Sequence, residues 1–383
     1  MLIQEFTKDT FKVQVFDTIR DAAVFEKWNC LHRPGFDFDV NYLSAIEKSQ
    51  PADLSFRYLL IQANEKIVAR VYFQVLNFGN RNLSVDTGNF LLRIASFFIR
   101  FSPYKIIIGG NLFAVDFSPV DYLKNEISVG ELLEIISSYV RKEKYDIFAL
   151  KDLSSDFTSH NMYPFGLTEF KSDLTMELAV RSEWKSFVDY EKSLTHKYAQ
   201  RARKIRRAAA SIERIELTHD LFLLHRERIS ELFKSICAKQ TIRMGIVDDR
   251  YFEEMRKACG NDFMMTGYFL EGKLIAFTSM FDRPDKLEVH YIGMDYSYNK
   301  SHSLYFNILF DGIENAIRLK KNSLELGRTA REAKAVIGCE PVYFNDYIHI
   351  NSYMTRKIVD MLQKFFQQRM GESWKERHPF KQL

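Results

Sequence analysis

Phe263-Met264-Met265-Thr266-Gly267-Tyr268-Phe269-Leu270, Leu274-Ile275-Ala276-Phe277-Thr278-Ser279-Met280-Phe281 and Leu287-Glu288-Val289-His290-Tyr291-Ile292-Gly293-Met294 are apolar, β-branched and aromatic runs that follow one another. Glu271-Gly272-Lys273 separates the first two and Asp282-Arg283-Pro284-Asp285 the last two, and Gly and Pro punctuate strands in this way. The stretch reads as three consecutive antiparallel strands. After a polar loop, Ser297 to Ser303, the residues Leu304, Ile308, Phe310, Ile313 and Ile317 recur at helical spacing. A short strand, Ser323 to Gly327, follows that helix. Thr329-Ala330-Arg331-Glu332 then has the spacing of a capping box, and Gly338 is placed to end the helix it starts. The predicted order from Asp262 to Cys339 is β-β-β-α-β-α.

The first half repeats this plan more faintly. Phe11 to Phe16 reads as a strand and Ala22 to Asn29 as a helix. Phe56 to Ala63 and Ile67 to Phe78 are strand-like runs about the turn Asn64-Glu65-Lys66. Tyr104 to Ile108 ends in Gly109-Gly110-Asn111, Gly130 to Lys142 is amphipathic, and Tyr145 to Leu150 is strand-like. The two halves read as degenerate copies of one unit, with domains expected over residues 1–180 and 212–383 and a basic connecting helix over 181–211. Tyr353 to Gln368 reads as an amphipathic helix and Trp374 to Leu383 as a basic tail.

At 383 residues the chain is long enough for two domains, and 46% apolar with 27% charged residues describes a globular protein rather than a disordered one. The net charge of +4 is small for this size, so any site for an anionic partner must be local. Cys30, Cys237, Cys259 and Cys339 are far apart in sequence, which suggests neither a zinc site nor a disulfide framework. No metal is expected. Met1 to Thr10 lacks the apolar core of a signal peptide, and no apolar run approaches the ~18 residues of a membrane span. The expectation is a cytoplasmic protein without a transmembrane segment, compatible with a peripheral membrane contact.

From Leu194 to Ala210 there is neither Gly nor Pro, and Leu194, Tyr198, Ala202, Ile205 and Ala209 form one helical stripe. Lys197, Arg201, Arg203, Lys204, Arg206 and Arg207 occupy the remaining face with no acidic residue among them. Such a face either attracts a phosphate-bearing ligand or is a solvated connector.

The run Leu324-Glu325-Leu326-Gly327-Arg328-Thr329-Ala330-Arg331-Glu332-Ala333-Lys334-Ala335-Val336-Ile337-Gly338-Cys339-Glu340-Pro341, preceded by His290 to Tyr296, resembles the carboxy-terminal half of GNAT-type acyltransferases related to the Fem peptidoglycan aminoacyltransferases. The segment Trp184 to Tyr198 and the basic helix are similar to the same group, as are Gly110 to Phe113 and Lys151 to Leu153. The resemblance covers residues 55 to 345. It implies an α+β fold of two tandem GNAT-like domains, each a mixed, mostly antiparallel sheet flanked by helices. It also implies acyl transfer from acyl-CoA or acetyl-CoA, as co-substrate, to an amine of a small molecule, amino sugar, amino acid, or lipid or cell-wall precursor. A Fem-like transferase drawing on aminoacyl-tRNA, with the tRNA at the basic helix, and a non-catalytic tandem-GNAT binding protein are the alternatives.

In such folds acyl-CoA lies where two neighbouring strands splay, which here places Tyr291, Gly293 and the rest of Tyr291 to Asp295 beside Leu324 to Gly327. The pyrophosphate lies at the start of the next helix, here Asn299, Lys300, Ser301 and Ser303, although the family's glycine-containing loop pattern is missing. These residues either hold phosphate or cap the helix. His290 and Glu325 are candidate bases, either one being able to take a proton directly or through water. Strand alternation puts Glu288, His290 and Ile292 on one face. Tyr305 is placed as the acid for the leaving thiolate. Arg328, Thr329 and Lys334 suit an anion, or else pair with Glu332 or Glu325. Asp295, Tyr296 and Gly327 are candidates for the acceptor side, with Lys197 and Arg201 at the cleft rim.

Overall fold

The structure, a computed structural model, describes residues 1–31, 38–83, 103–170, 174–240, 242–357, 359–360 and 375–382. Its strands are β1 (Leu2–Lys8), β2 (Phe11–Phe16), β3 (Leu54–Ala63), β4 (Lys66–Phe78), β5 (Tyr104–Gly109), β6 (Val120–Tyr122), β7 (Ile147–Leu150), β8 (Thr168–Phe170), β9 (Leu174–Ala179), β10 (Glu213–Glu216), β11 (Phe263–Leu270), β12 (Lys273–Asp282), β13 (Lys286–Met294), β14 (Ser323–Glu325), β15 (Glu340–Tyr343) and β16 (Asp346–Ile350). They build two sheets, β1-β2-β3-β4-β5-β7-β16-β8 with β6 against β4, and β10-β11-β12-β13-β14-β9-β15. Both are mixed and mostly antiparallel, with β5/β7 and β13/β14 as parallel pairs. The fold is α+β.

The chain forms two compact units. Unit 1 is Met1–Asp173, Thr241–Ala258 and Tyr343–Phe366, and unit 2 is Leu174–Gln240, Cys259–Val342 and Gln367–Leu383. Neither is contiguous in sequence. In unit 1, β16 from the carboxy-terminal part lies between β7 and β8; in unit 2, β9 lies between β14 and β15.

The two long hairpins close alike. Asn64 and Glu65 join β3 to β4, and Glu271 and Gly272 join β11 to β12, with positive φ at both turn residues in each case. That two-residue turn matches the twist of the strands it joins. In unit 1 the helix Val129–Lys142 opens with a reciprocal Ser128–Glu131 capping box and buries Leu132, Leu133, Ile136, Tyr139 and Val140 against β4 and β7. In unit 2 the helix Leu304–Arg318 buries Leu309, Phe310, Ile313, Ala316 and Ile317 against Met280, Leu287, Val289 and Leu324. Asn307, fully buried, ties this helix to the basic one by donating from Nδ2 to the Ile205 carbonyl at 3.0 Å.

Three sequence expectations change. The capping box at Thr329–Glu332 does not form: the helix is Arg331–Val336, its N-cap is Ala330 in the left-handed region, and the Glu332 carboxylate accepts from Arg377 and the Lys375 N–H instead. Gly338, at φ 98°, does terminate that helix. The carboxy-terminal stretch is no free tail over Lys375 to Gln382. Phe380 packs on Trp184 and Tyr190, and Thr195 N donates to the Pro379 carbonyl. The basic helix is shorter than read, His196–Ala208. Tyr353 to Lys357 is helical, while residues 361–368 of the expected helix lie outside the described residues. No helix among the described residues is long and apolar enough to cross a membrane.

Candidate functional site

The parallel pair in unit 2 is short. β13 and β14 match Lys286 with Ser323, Leu287 with Leu324 and Glu288 with Glu325, and then separate. The reason is a change of partner: Leu326 N donates to the Met176 carbonyl and Gly327 O accepts from Met176 N, so the chain leaving β14 stays with β9. Gly327, at φ 80°, turns it away, a conformation that favours glycine. β13 meanwhile continues to Met294, paired with β12 throughout. Among the described residues no strand lies on its other side from Val289 to Met294, which leaves a wedge.

β13 also carries a bulge. Val289 pairs with Met280 and Tyr291 with Ser279, so His290 is the extra residue. The bulge corrects the expected facing. Glu288, His290 and Tyr291 share one face, and Ile292 turns to the opposite one, where it packs with the helix-side cores. The His290 side chain is only 4% exposed although the residue as a whole is half-buried, so its exposed part is mainly main chain.

The face that carries Glu288 is polar and buried. Cross-strand register places Glu288, Glu325 and Glu177 in a row on β13, β14 and β9. Three carboxylates side by side require neutralisation or protonation. Arg283 Nε donates to Glu288 Oε2 at 2.7 Å, and His290 Nδ1 lies 3.4 Å from Glu288 Oε1. Lys286 Nζ is 3.6 Å from Glu177. Glu325, 1% exposed, accepts at Oε1 from the Thr175 hydroxyl and the Gly327 N–H. Lys334, 2% exposed, donates from Nζ to the Gly327 carbonyl at 2.9 Å.

Burial alone would raise the Glu288 carboxyl, but the Arg283 guanidinium and His290 hold it down at about 2. Burial lowers His290 despite Glu288 beside it, so its ring is neutral near pH 7. Burial, then the Glu288 charge, pushes the Glu325 carboxyl up toward neutrality against the opposing Thr175, Lys334 and Gly327 contacts. Burial draws the Lys334 ammonium down toward neutrality, with Glu325 opposing. A carboxyl and an amine displaced toward each other's range can exchange protons with a substrate near pH 7.

Around the wedge stand the other candidates. Tyr291 packs edge-on to Phe233 at 5.1 Å, and burial raises the pKa of its hydroxyl, with the Arg328 charge opposing. Gly293 is small for a packing reason, since a Cβ there would meet the Phe277 ring at 2.1 Å. Tyr305 stands in the first turn of the long helix, and burial keeps its hydroxyl protonated. At that helix start Asn299 Oδ1 accepts from Tyr305 N at 3.0 Å. Asn299 therefore caps the helix, Ser303 adopts a left-handed conformation, and Lys300 and Ser301 are exposed beside them. Asp295 accepts from Ser297 and pairs with Arg228 at 3.0 Å, while Tyr296 is exposed beneath Lys239. Thr329 is exposed.

The structure thus gathers His290, Tyr291, Glu325, Gly327, Arg328 and Lys334 about the wedge, with Asp295 to Ser303 beyond the end of β13. On the basic helix, Arg203 pairs with Glu191 at 2.9 Å, and Arg206 pairs with Asp311 and Glu314. Lys197, Arg201, Lys204 and Arg207 are exposed and make no ion pair among the described residues; Arg201 lies over the Phe306 ring at 4.9 Å. Sequence reading missed Thr175 and Arg283. Alternation in Leu174 to Ala179 marks Thr175 as strand-borne, but nothing local places it beside Glu325. Among the described residues no group of His, Cys, Asp and Glu is arranged to hold a metal ion.

No family model and no curated protein matches the chain. Solved structures do. FemX shares 10% identity, with 85% of this chain and 93% of that chain covered at a TM-score of 0.51. A tandem GNAT protein from the clavulanic acid biosynthesis pathway, solved without AcCoA, shares 10% identity over 88% and 98% of the two chains, also at 0.51. The carboxy-terminal domain of a putative lysylphosphatidylglycerol synthetase from Agrobacterium fabrum shares 12% identity over 89% and 95%, at 0.50. With its two mixed, mostly antiparallel sheets, this chain shares its fold with FemX and with that tandem GNAT protein.

Proposed function

We propose that the protein is an N-acyltransferase with its reaction centre at the wedge between β13 and β14. The observation that carries this reading is the divergence of the two strands immediately after the Glu288–Glu325 pair, with Glu325 buried at the fork. The open edge of β13 suits an extended donor arm that pairs with backbone as an added strand would. Acyl-CoA or acetyl-CoA, as co-substrate, would supply a thioester carbonyl there. Glu325 takes the proton from the attacking amine, and the neutral Tyr305 hydroxyl is the proton source for the leaving thiolate. Arg328 and Lys334 place positive charge where an anionic group of either substrate arrives. His290, neutral and turned toward Glu288, orients the bulge. The acceptor is an amine of a small molecule, amino sugar, amino acid, or lipid or cell-wall precursor.

Calorimetric titration with acetyl-CoA and then a long-chain acyl-CoA, at low and moderate salt, tests the donor. Saturable binding that persists with salt supports the reading, and Arg328→Ala abolishes turnover while leaving the fold intact. Unchanged turnover in that variant removes Arg328 from the site.

One observation favours aminoacyl-tRNA as the donor: Asn299 takes the Tyr305 N–H, so the helix start offers an anion one amide fewer, while four exposed cations of the basic helix make no ion pair among the described residues. On this reading the cations hold phosphates through salt-sensitive contacts. Replacing Lys197, Arg201, Lys204 and Arg207 by Gln then weakens binding of labelled tRNA steeply at low salt. Unaltered binding makes the helix a connector.

A further inference from the structure

Thr175 is a residue whose chemistry the fold does not require. It is fully buried on β9, in a strand interior where a β-branched apolar side chain of the same shape would be at home. Its hydroxyl instead donates to Oε1 of Glu325, a residue 150 positions away in the chain. The Gly327 N–H donates to the same oxygen. Glu325 Oε2 accepts no hydrogen bond among the described residues. One carboxylate oxygen is thus held by two donors while the other is left for a reacting group.

We infer that Thr175 is a positioning residue for acyl transfer: its hydroxyl fixes Glu325 Oε1, so that Oε2 receives the proton of the attacking amine. The inference rests on the proposed role of Glu325 as base. In the step, the amine nitrogen bonds to the acyl carbon, the carbon–sulfur or carbon–oxygen bond to the donor breaks with its electron pair, and the proton lost by nitrogen ends on Oε2. Rotation of the carboxylate would present either oxygen indifferently; two donors on one oxygen prevent it.

Thr175 also favours the ionised base. Glu325 faces Glu288 on β13, itself paired with Arg283 and His290, Lys334 on the helix Arg331–Val336, and the buried Cys339 thiol, with Glu177 paired to Lys286 in the same row. Burial and the Glu288 charge both oppose ionisation, and the Thr175 hydroxyl is the foremost group acting the other way. A hydroxyl donated to a carboxylate stabilises the charged form and does little for the neutral acid.

The test uses Thr175→Val, which keeps shape and burial, and Thr175→Ser, which keeps the hydroxyl. Two readouts are taken on the full chain: the carbon-13 titration of the Glu325 carboxyl, assigned by its loss in Glu325→Gln, and the pH profile of kcat/KM. Thr175→Val moves the Glu325 midpoint up by about one to two pH units, the worth of a hydrogen bond to a charged group, and moves the acid limb of kcat/KM equally. At pH 7 kcat falls while KM for the acyl donor holds, and Thr175→Ser keeps kcat and the carboxyl midpoint at their native values. An unmoved carboxyl midpoint in a folded Thr175→Val protein overturns the inference while leaving Glu325 as base. A carboxyl midpoint that moves without the kinetic limb shows that Glu325 is not the base and overturns the proposed function along with it.

Discussion

The two parallel strand pairs, one in each unit, are built on one plan and end differently. In unit 1, β5 and β7 match Ile106 to Gly109 with Ile147 to Leu150, and Lys151 N then donates to the Gly109 carbonyl, so the pair is zipped to its end. Ile106, Ile107 and Ile108 fill it with apolar surface, and a Cβ on Gly109 would meet Leu150 at 2.6 Å. In unit 2 the pair lasts three residues and opens at two buried glutamates. Burying charge costs free energy unless it is paired, and only a purpose that apolar packing cannot serve offsets it. The closed pair gives stability. The open pair gives up part of that for a place where backbone and a near-neutral carboxyl meet.

The largest effect expected is on turnover. Glu325→Gln keeps the shape of the fork and removes the proposed base, and should lower kcat about 10²- to 10⁴-fold, whereas Ile108→Val in the closed pair should leave kcat unchanged. Equal effects at the two places would erase the functional difference between them. Next comes Arg283→Met, which strips Glu288 of its guanidinium inside unit 2. Urea unfolding should show a loss of about 3–5 kcal/mol, largely recovered when Glu288 is replaced by Met as well. Substituting the packing glycines sharpens the contrast in a smaller range. Gly293→Ala, against the Phe277 ring, and Gly109→Ala, against Leu150, should each cost about 1–3 kcal/mol of stability. Only Gly293→Ala, next to the wedge, should also raise KM for the donor.

What could be read from sequence was what repeats locally. The three-strand meander was legible because each run is apolar, β-branched and aromatic and is bounded by turn residues, and the stripe Leu304, Ile308, Phe310, Ile313 and Ile317 is buried as its spacing implied. Glu325 and Lys334 were legible as site candidates through the family resemblance. The bulge was not: one extra residue at His290 leaves no mark in composition, and it turned Ile292 to the other face. The Thr329–Glu332 spacing met the capping rule, yet Glu332 found Arg377, 45 residues further on. Thr175 escaped for a topological reason. β9 follows unit 1 in sequence and pairs inside the unit 2 sheet, and β16 makes the converse journey, so nearest neighbours in the sheets are remote in the chain.

The smallest effect isolates Glu325 without any substrate. Its carboxyl is raised from an ordinary 4.5 to about 7 in the folded chain, by burial and then by Glu288. Between these values the folded state holds a proton that the unfolded state has released, so stability falls as pH rises from about 4.5 to about 7. Glu288, held at about 2, acts with the opposite sign but below that window, since there the unfolded chain binds the extra proton. His290, lowered by burial, adds a second rise with pH as its unfolded counterpart deprotonates. The net slope of the native protein is therefore mixed, and the difference from Glu325→Gln is what separates the terms. Subtracting the two urea-unfolding series should leave a stability difference that declines by no more than about 1.4 kcal/mol per pH unit across pH 4.5 to 7. No comparable decline should follow from Glu131→Gln in unit 1, whose carboxyl is lowered by Ser128 at the capped helix start. A flat difference for Glu325 would mean that the open strand pair carries an ordinary carboxylate, and the contrast with the closed pair would then be one of shape alone.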